Sequence, residues 1–190
     1  MTPNENRRSE KSRRAILDAA MDLCAELGYG RVTVEAIAAR AGVSKKTIYR
    51  WWSSKGAVVL EAIIDEVPKS TAFPGTGDLV ADLRAQMTAV LALVNGTAYL
   101  GVIAEAQHDD ALSRSLTRDL LQPRRAAAVE RLRDAQAQGQ LPEGADLELA
   151  IDLLYAPLYY RPLLRLEPAT TPERIQAIID HIIRALNSRE

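Results

Sequence analysis

Apolar residues recur along this chain at three- and four-residue spacings, the period of a helix with one buried face. Ile16, Ala20, Leu23 and Leu27 form one such stripe, widened by Leu17 and Cys24. They predict a helix from about Ser12 to Leu27, with Gly28 and Gly30 as its exit. Thr33, a residue type that caps helix N-termini, precedes a second stripe of Val34, Ile37 and Ala38. Ala41-Gly42-Val43 interrupts it, and Gly42 can take a positive φ without strain. Ser44 offers another cap, after which Ile48 and Trp52 lie four apart on one face.

Ala57 to Glu66 continues as a connecting helix, and the two prolines and two glycines of Pro68 to Gly77 predict a loop. Asp78 caps a helix with Leu79, Leu83, Met87, Val90, Leu91 and Val94 inward, ended by Asn95-Gly96. Thr97 starts another, which closes at His108-Asp109-Asp110. A longer run from Ala111 to Gln138 must break or kink at Pro123 before Gly139 and Pro142 end it. Asp146 opens a pattern through Leu149, Leu153 and Leu164, kinked near Pro157 and Pro162. Thr171-Pro172-Glu173 supplies a cap, a favoured first-turn proline and an acidic first turn. Ile175, Ile178, Ile179, Ile182, Ile183 and Leu186 then make a wide apolar face. No segment has a strand-like pattern and no repeat is evident, so an all-α chain is expected.

The stretch Thr33 to Lys55 carries most of the chemistry. Two short helices around a glycine turn make a helix-turn-helix, in which the first helix braces the second and frees its polar face for a major groove. Lys45 and Lys46 can reach guanine O6 and N7 or phosphates, and Thr47 can donate to a base or offer its methyl group to thymine. Tyr49 and Trp51 would stand at the groove wall, with Lys55 neutralising a further phosphate. Trp51 and Trp52 are adjacent, hence about 100° apart on a helix, and cannot share one core. Trp52 is assigned inward and Trp51 to the DNA-facing boundary. The alternative for the whole stretch is an ordinary αα-hairpin with a solvated basic face.

Charge favours the first reading. Residues 1–56 hold eleven Lys and Arg against six Asp and Glu, net +5, whereas the remaining residues hold thirteen against nineteen, net −6. Only the first part would attract a polyanion. Arg7, Arg8, Lys11, Arg13 and Arg14 extend it as a basic approach to the first helix, whose first residues are expected to be disordered without DNA. Cys24 is the only cysteine, which excludes an intrachain disulfide and suits a packed core.

The run GYGRVTVEAIAARAGVSKKTIYRWWSSKGAVVLEAI resembles the DNA-binding domain of tetracycline-repressor-type (TetR) transcriptional regulators, over roughly residues 10–66. The resemblance implies that Thr33 caps helix 2 and meets phosphate, that Lys45 to Thr47 face bases, and that Tyr49 contacts phosphate. Trp51 stands where tyrosine or histidine is common, Trp52 at a core phenylalanine position, and Lys55 at the lysine opening helix 4. Lys46 replaces a frequent glycine and Gly56 a frequent acidic residue, the latter weakening the start of helix 4.

The implied architecture has about nine helices: a three-helix DNA-binding domain at 1–56 and a larger helical domain at 57–190. In that family the last two helices form a dimeric four-helix bundle. A homodimer would read a palindromic double-stranded operator with recognition helices about 34 to 36 Å apart. Leu153, Tyr160, Ile175, Ile178, Ile179, Ile182, Ile183 and Leu186 are its candidate interface. The resemblance also implies a small-molecule effector whose binding lowers operator affinity. Met87, Tyr99, His108, Tyr155 and Tyr159 are candidate contacts, with Arg161 as a further polar one, and a predominantly apolar effector is expected. Activation, or a larger domain answering to a protein partner, is the alternative.

Nothing points to catalysis, a metal or a cofactor. His108-Asp109-Asp110 reads as a helix-end surface cluster, the only other histidine is His181, and there is no HExxH or glycine-rich phosphate loop. The chain lacks an 18-residue apolar span and a secretory leader, so a cytoplasmic protein is expected.

Overall fold

The computed structural model describes residues 3–166 and 170–188, apart from the side chains of 3–8, 67–70 and 97. Its helices are α1 (Pro3–Leu27), α2 (Val34–Ala41), α3 (Lys45–Tyr49), α4 (Lys55–Ser70), α5 (Leu79–Asn95), α6 (Thr97–Ala106), α7 (Asp110–Ser115), α8 (Gln122–Ala137), α9 (Leu147–Leu163) and α10 (Pro172–Asn187). A π-helical turn, Leu116–Leu121, joins α7 to α8. Counted as one, that run brings the helices among the described residues to nine, and the chain is all-α as expected.

Packing divides the chain into two units. The first comprises Met1–Val67 and Gly96–Thr117, the second Pro68–Asn95 and Arg118–Glu190. The first unit therefore takes in α6 and α7, which no linear division near residue 56 would assign to it. In it, α1 packs on α2 and α6, α2 on α3, and α6 on α7. Ile16, Leu17, Ile37, Ile48, Trp52, Val58 and Ile63 are buried there, as is Cys24. In the second unit α5 packs on α8, α9 and α10, and α9 on α8 and α10. Leu83, Met87, Val90, Leu132, Leu154, Leu158, Ile175 and Ile179 are among its buried positions.

Three boundaries differ from those read along the chain. Helix α1 starts at Pro3, not Ser12, so the basic approach is helical and not disordered from that residue on; Met1 and Thr2 lie outside the described residues. No glycine or proline separates Pro3 from Gly28, and a first-turn proline gives up only a donor that the helix end leaves unused. An apolar stripe cannot register the polar turns that precede it. Helix α4 runs through Pro68, so the loop is confined to 71–78. Helix α3 ends at Tyr49, yet the Trp52 amide still donates to the Ile48 carbonyl at 3.0 Å, which keeps Trp52 on the Ile48 face. The break required at Pro123 takes the form of the π turn preceding it.

Candidate nucleic-acid interface

The helix-turn-helix is closed by local bonds that its sequence spells out. Thr33 Oγ1 accepts from the Ala36 amide at 3.1 Å, and Ser44 Oγ accepts from the Thr47 amide at 3.2 Å. Each meets a donor that a helix N-terminus leaves free. Between them Gly42 sits at φ 66°, the left-handed conformation that ends α2, and its amide bonds back to Ala39. Ile37 and Ile48 are fully buried, fixing the two helices to each other.

The outer surface of α3 is cationic and aromatic. Lys45, Lys46, Tyr49 and Arg50 are exposed, and Thr47 is half-buried with its hydroxyl 3.0 Å from Ser44 Oγ. Thr33 is exposed at the start of α2. Lys45 Nζ donates to Glu35 Oε1 at 2.9 Å, a bond that raises its pKa and lowers that of Glu35. The Arg50 guanidinium lies 5.1 Å from the centre of the Trp51 ring, so Trp51 presents a cation together with its edge. Trp52 is buried, with the two indoles edge to face at 5.3 Å. Trp52 thus faces the core while Trp51 stays half-buried at its edge, in keeping with their spacing of about 100°.

Two cationic residues assigned to the DNA surface turn inward. Lys55 Nζ donates to the carbonyls of Tyr29 and Val32, each at 3.2 Å, and stands 4.5 Å over the Tyr29 ring. Its ammonium satisfies the end of the Tyr29–Arg31 turn, so in this structure it serves as a strut. Arg13 donates through Nε to Glu61 Oε1 at 2.6 Å and pairs with Asp65 at 3.3 Å; Arg14 bonds Asp18 at 3.0 Å. Of the expected basic approach, Lys11 and Arg14 stay exposed, and the Arg7 and Arg8 side chains lie outside the described residues.

Several supports escaped the sequence reading. Glu61 spends one oxygen on Arg13 and the other on Trp52 Nε1, at 2.6 Å each. Tyr29 Oη donates to Glu105 Oε2 at 2.6 Å, and burial followed by that carboxylate drives its pKa far upward. A Cβ on Gly101 would come within 2.2 Å of the Tyr29 ring, and one on Gly56 within 2.6 Å of Glu105. Gly56 is therefore a point of close approach at the start of α4, which the helix keeps despite glycine's poor propensity. No spacing along the chain links Tyr29 to residues more than seventy positions away.

The other predicted residues scatter. Tyr99 is buried in the first unit, His108 is exposed there, and Met87, Tyr155 and Tyr159 belong to the second. Tyr155 Oη donates to Gln86 Oε1 at 2.5 Å. On the candidate interface, Ile175 and Ile179 are fully buried within the chain's own packing, because α5 and α9 both cover α10, and so they leave the set. Leu153 and Tyr160 are 46% and 58% exposed, and Ile178, Ile182, Ile183 and Leu186 are half-exposed. Among the described residues no group of His, Cys, Asp and Glu is placed to hold a metal ion, and no single helix is long and apolar enough to cross a membrane.

Two capped helices around a left-handed glycine, braced by α1 and α4 and presenting cations from the second, define a helix-turn-helix protein of the DNA-binding class. A sequence profile described as "Bacterial regulatory proteins, tetR family" matches residues 16–62, and one described as "Tetracyclin repressor-like, C-terminal domain" matches residues 73–182. The chain is 38% identical over 160 residues to the uncharacterized HTH-type transcriptional regulator YdeS of Bacillus subtilis, covering 83% of this chain and 81% of that one. It is 31% identical over 159 residues to the DNA-binding transcriptional repressor TetR of Mycobacteroides abscessus, covering 81% and 83%. The crystal structure of the TetR family transcription regulator SCO0332 superposes with a TM-score of 0.77 at 34% identity, over 92% of this chain and 97% of that one. The chain belongs to the TetR family, and it is a non-enzymatic, DNA-binding transcriptional regulator.

Proposed function

We propose that the protein is a homodimeric repressor that binds a palindromic operator and is released by a small-molecule effector. The exposed cationic face of the Ser44-capped α3 carries this reading. Lys45, Lys46 and Thr47 read bases, while Thr33, Tyr49 and Trp51 position the helix on phosphates, with Arg50 brought to the same wall by its stacking on Trp51. Residues 1–56 read DNA and 57–190 sense and dimerise. Repression is supported by the name of the M. abscessus relative. Dimerisation is supported by large apolar side chains left open on α9, Leu149, Leu153, Tyr160 and Leu163, beside the half-exposed side of α10. Surface of this kind is normally covered in an oligomer.

Selection of preferred duplexes from a random pool, followed by release with small metabolites, tests the reading. A two-fold symmetric consensus is expected, and equal affinity for unrelated duplexes at moderate salt would overturn specific repression. Sedimentation at micromolar protein should give a dimer; a monomer with and without operator would overturn that part.

A further inference from the structure

The second unit buries a charge pair and leaves donors over. Asp82 on α5 is fully buried and Arg131 on α8 is 8% exposed, with Arg131 Nε donating to Asp82 Oδ2 at 2.7 Å. The other carboxylate oxygen accepts from the Thr76 amide at 3.0 Å and the Thr76 hydroxyl at 2.7 Å. Burial opposes ionisation of Asp82, yet these donors hold its pKa below the usual carboxylate range. Asp82 is saturated; Arg131 is not. Its Nη1 and Nη2 are buried and make no hydrogen bond among the described residues, and the same is true of Arg124 Nη1.

The two arginines share one side of α8. Arg124, Ala128, Arg131 and Ala135 recur at i, i+4, i+7 and i+11, and the two alanines are buried, so this is the inward face. Gln86, one turn from Asp82 on α5, accepts from Tyr155 of α9. Burial pushes the pKa of the Tyr155 phenol upward, and the Arg124 charge opposes that shift. Arg131, bonded to Asp82 through Nε alone, and Arg124, with a buried Nη1 that meets no acceptor among the described residues, leave cationic donors unmet in a unit whose buried residues include Leu83, Met87, Leu154 and Leu158. Guanidinium groups only donate, and their planar fork matches an oxyanion. Leaving buried donors unmet is costly.

We infer that Arg124 and Arg131 form an oxyanion site within the second unit, binding the headgroup of a small effector whose apolar body lies among α5 and α9 side chains. A carboxylate is the simplest headgroup, and a phosphate shares its chemistry. The inference rests on the ligand-responsive reading above and adds an anionic headgroup to the predominantly apolar effector expected from the sequence.

The test uses the full-length protein without DNA, with straight-chain carboxylates from acetate to decanoate, inorganic phosphate, and primary alcohols of matching length. Thermal shift and calorimetry should show saturable binding of a carboxylate, one per chain, with no response to its alcohol. Response to phosphate alone would assign the headgroup to phosphate. Arg131→Lys keeps a cation facing Asp82 but removes the fork, and Arg124→Gln leaves the Asp82 pair intact. Either should weaken binding at least tenfold, and the second reads the site if the first fails to fold. No anion shifting the melting temperature, or undiminished binding by folded variants, would overturn the inference. Arginine-dependent anion binding that leaves the operator complex intact would sink only effector release. Neutral compounds releasing DNA from wild type and Arg124→Gln alike, with no anion bound, would sink only the oxyanion site.

Discussion

The two units treat their interior polar groups in opposite ways. In the first, the described polar groups of the brace are paired: Glu61 uses both oxygens, Tyr29 donates to Glu105, and Lys55 donates to two carbonyls. In the second, Asp82 is spent but Arg131 and Arg124 keep unused donors. A fully satisfied network fixes one geometry, which suits a surface that must meet DNA in a constant register. Unused buried donors are retained at a cost in stability, and sites that bind a ligand are where such a cost is expected.

The largest effects should come from the two buried anchors. Trp52→Ala removes a core indole and the Glu61 contact, and should cost roughly 3 to 5 kcal/mol in chemical denaturation. Trp51→Ala should leave melting nearly unchanged and weaken operator binding; losses the other way round would reverse the two roles. Asp82→Ala strands Arg131 as an unpaired buried charge and should also cost about 3 to 5 kcal/mol, whereas Asp82→Leu with Arg131→Met should recover most of it. A pair that cannot be replaced this way would mark the second unit as satisfied like the first. Because the folded pKa of Asp82 is depressed, its stabilisation is present above the unfolded value near pH 4 and lost as pH falls below it. Asp82→Asn should therefore flatten the acid limb of the stability profile.

Intermediate effects probe the brace by addition. Gly101→Ala drives a methyl group into the Tyr29 ring and should cost roughly 1 to 3 kcal/mol. An unchanged melting temperature would show that the ring yields and the brace is loose. Lys46 and Lys55 then separate reading from bracing. Lys46→Ala should reduce discrimination among operator variants by about 1 to 3 kcal/mol. Lys55→Met should lower stability and leave the salt dependence of DNA binding unchanged, where a phosphate contact would have reduced the slope by about one.

Lys55 also shows what sequence conveys and what it does not. Thr33, Ser44, Gly42 and the division of the two tryptophans were legible because each acts within four residues of its partner. Lys55 carries the same charge as Lys46, and only the fold sends one to carbonyls near residue 30 and the other to solvent. The α10 face was legible as a face, but Ile175 and Ile179 could be told from Ile178 and Ile182 only by the helices that cover them. The arginine stripe of α8 follows a helical period as clear as any apolar one. Charged residues at that spacing ordinarily mark a solvated surface, and nothing along the chain joins them to Asp82, forty-nine residues from Arg131.

The smallest effect tests whether the reading surface is itself wholly unconstrained. Lys45 is exposed but paired with Glu35, also exposed, at 2.9 Å. Such a pair contributes little to stability in water, so Glu35→Gln should leave the melting temperature within about a degree. Its consequence lies in binding. Glu35 competes with DNA for the Lys45 ammonium, and removing its charge makes that cation fully available to a phosphate or a guanine. Non-specific affinity should rise and the salt slope steepen by up to about 0.9. Operator discrimination should fall at the same time, because the added attraction carries no sequence information. If affinity and slope stay unchanged, Lys45 keeps its Glu35 partner when bound, and base reading by α3 narrows to Lys46 and Thr47.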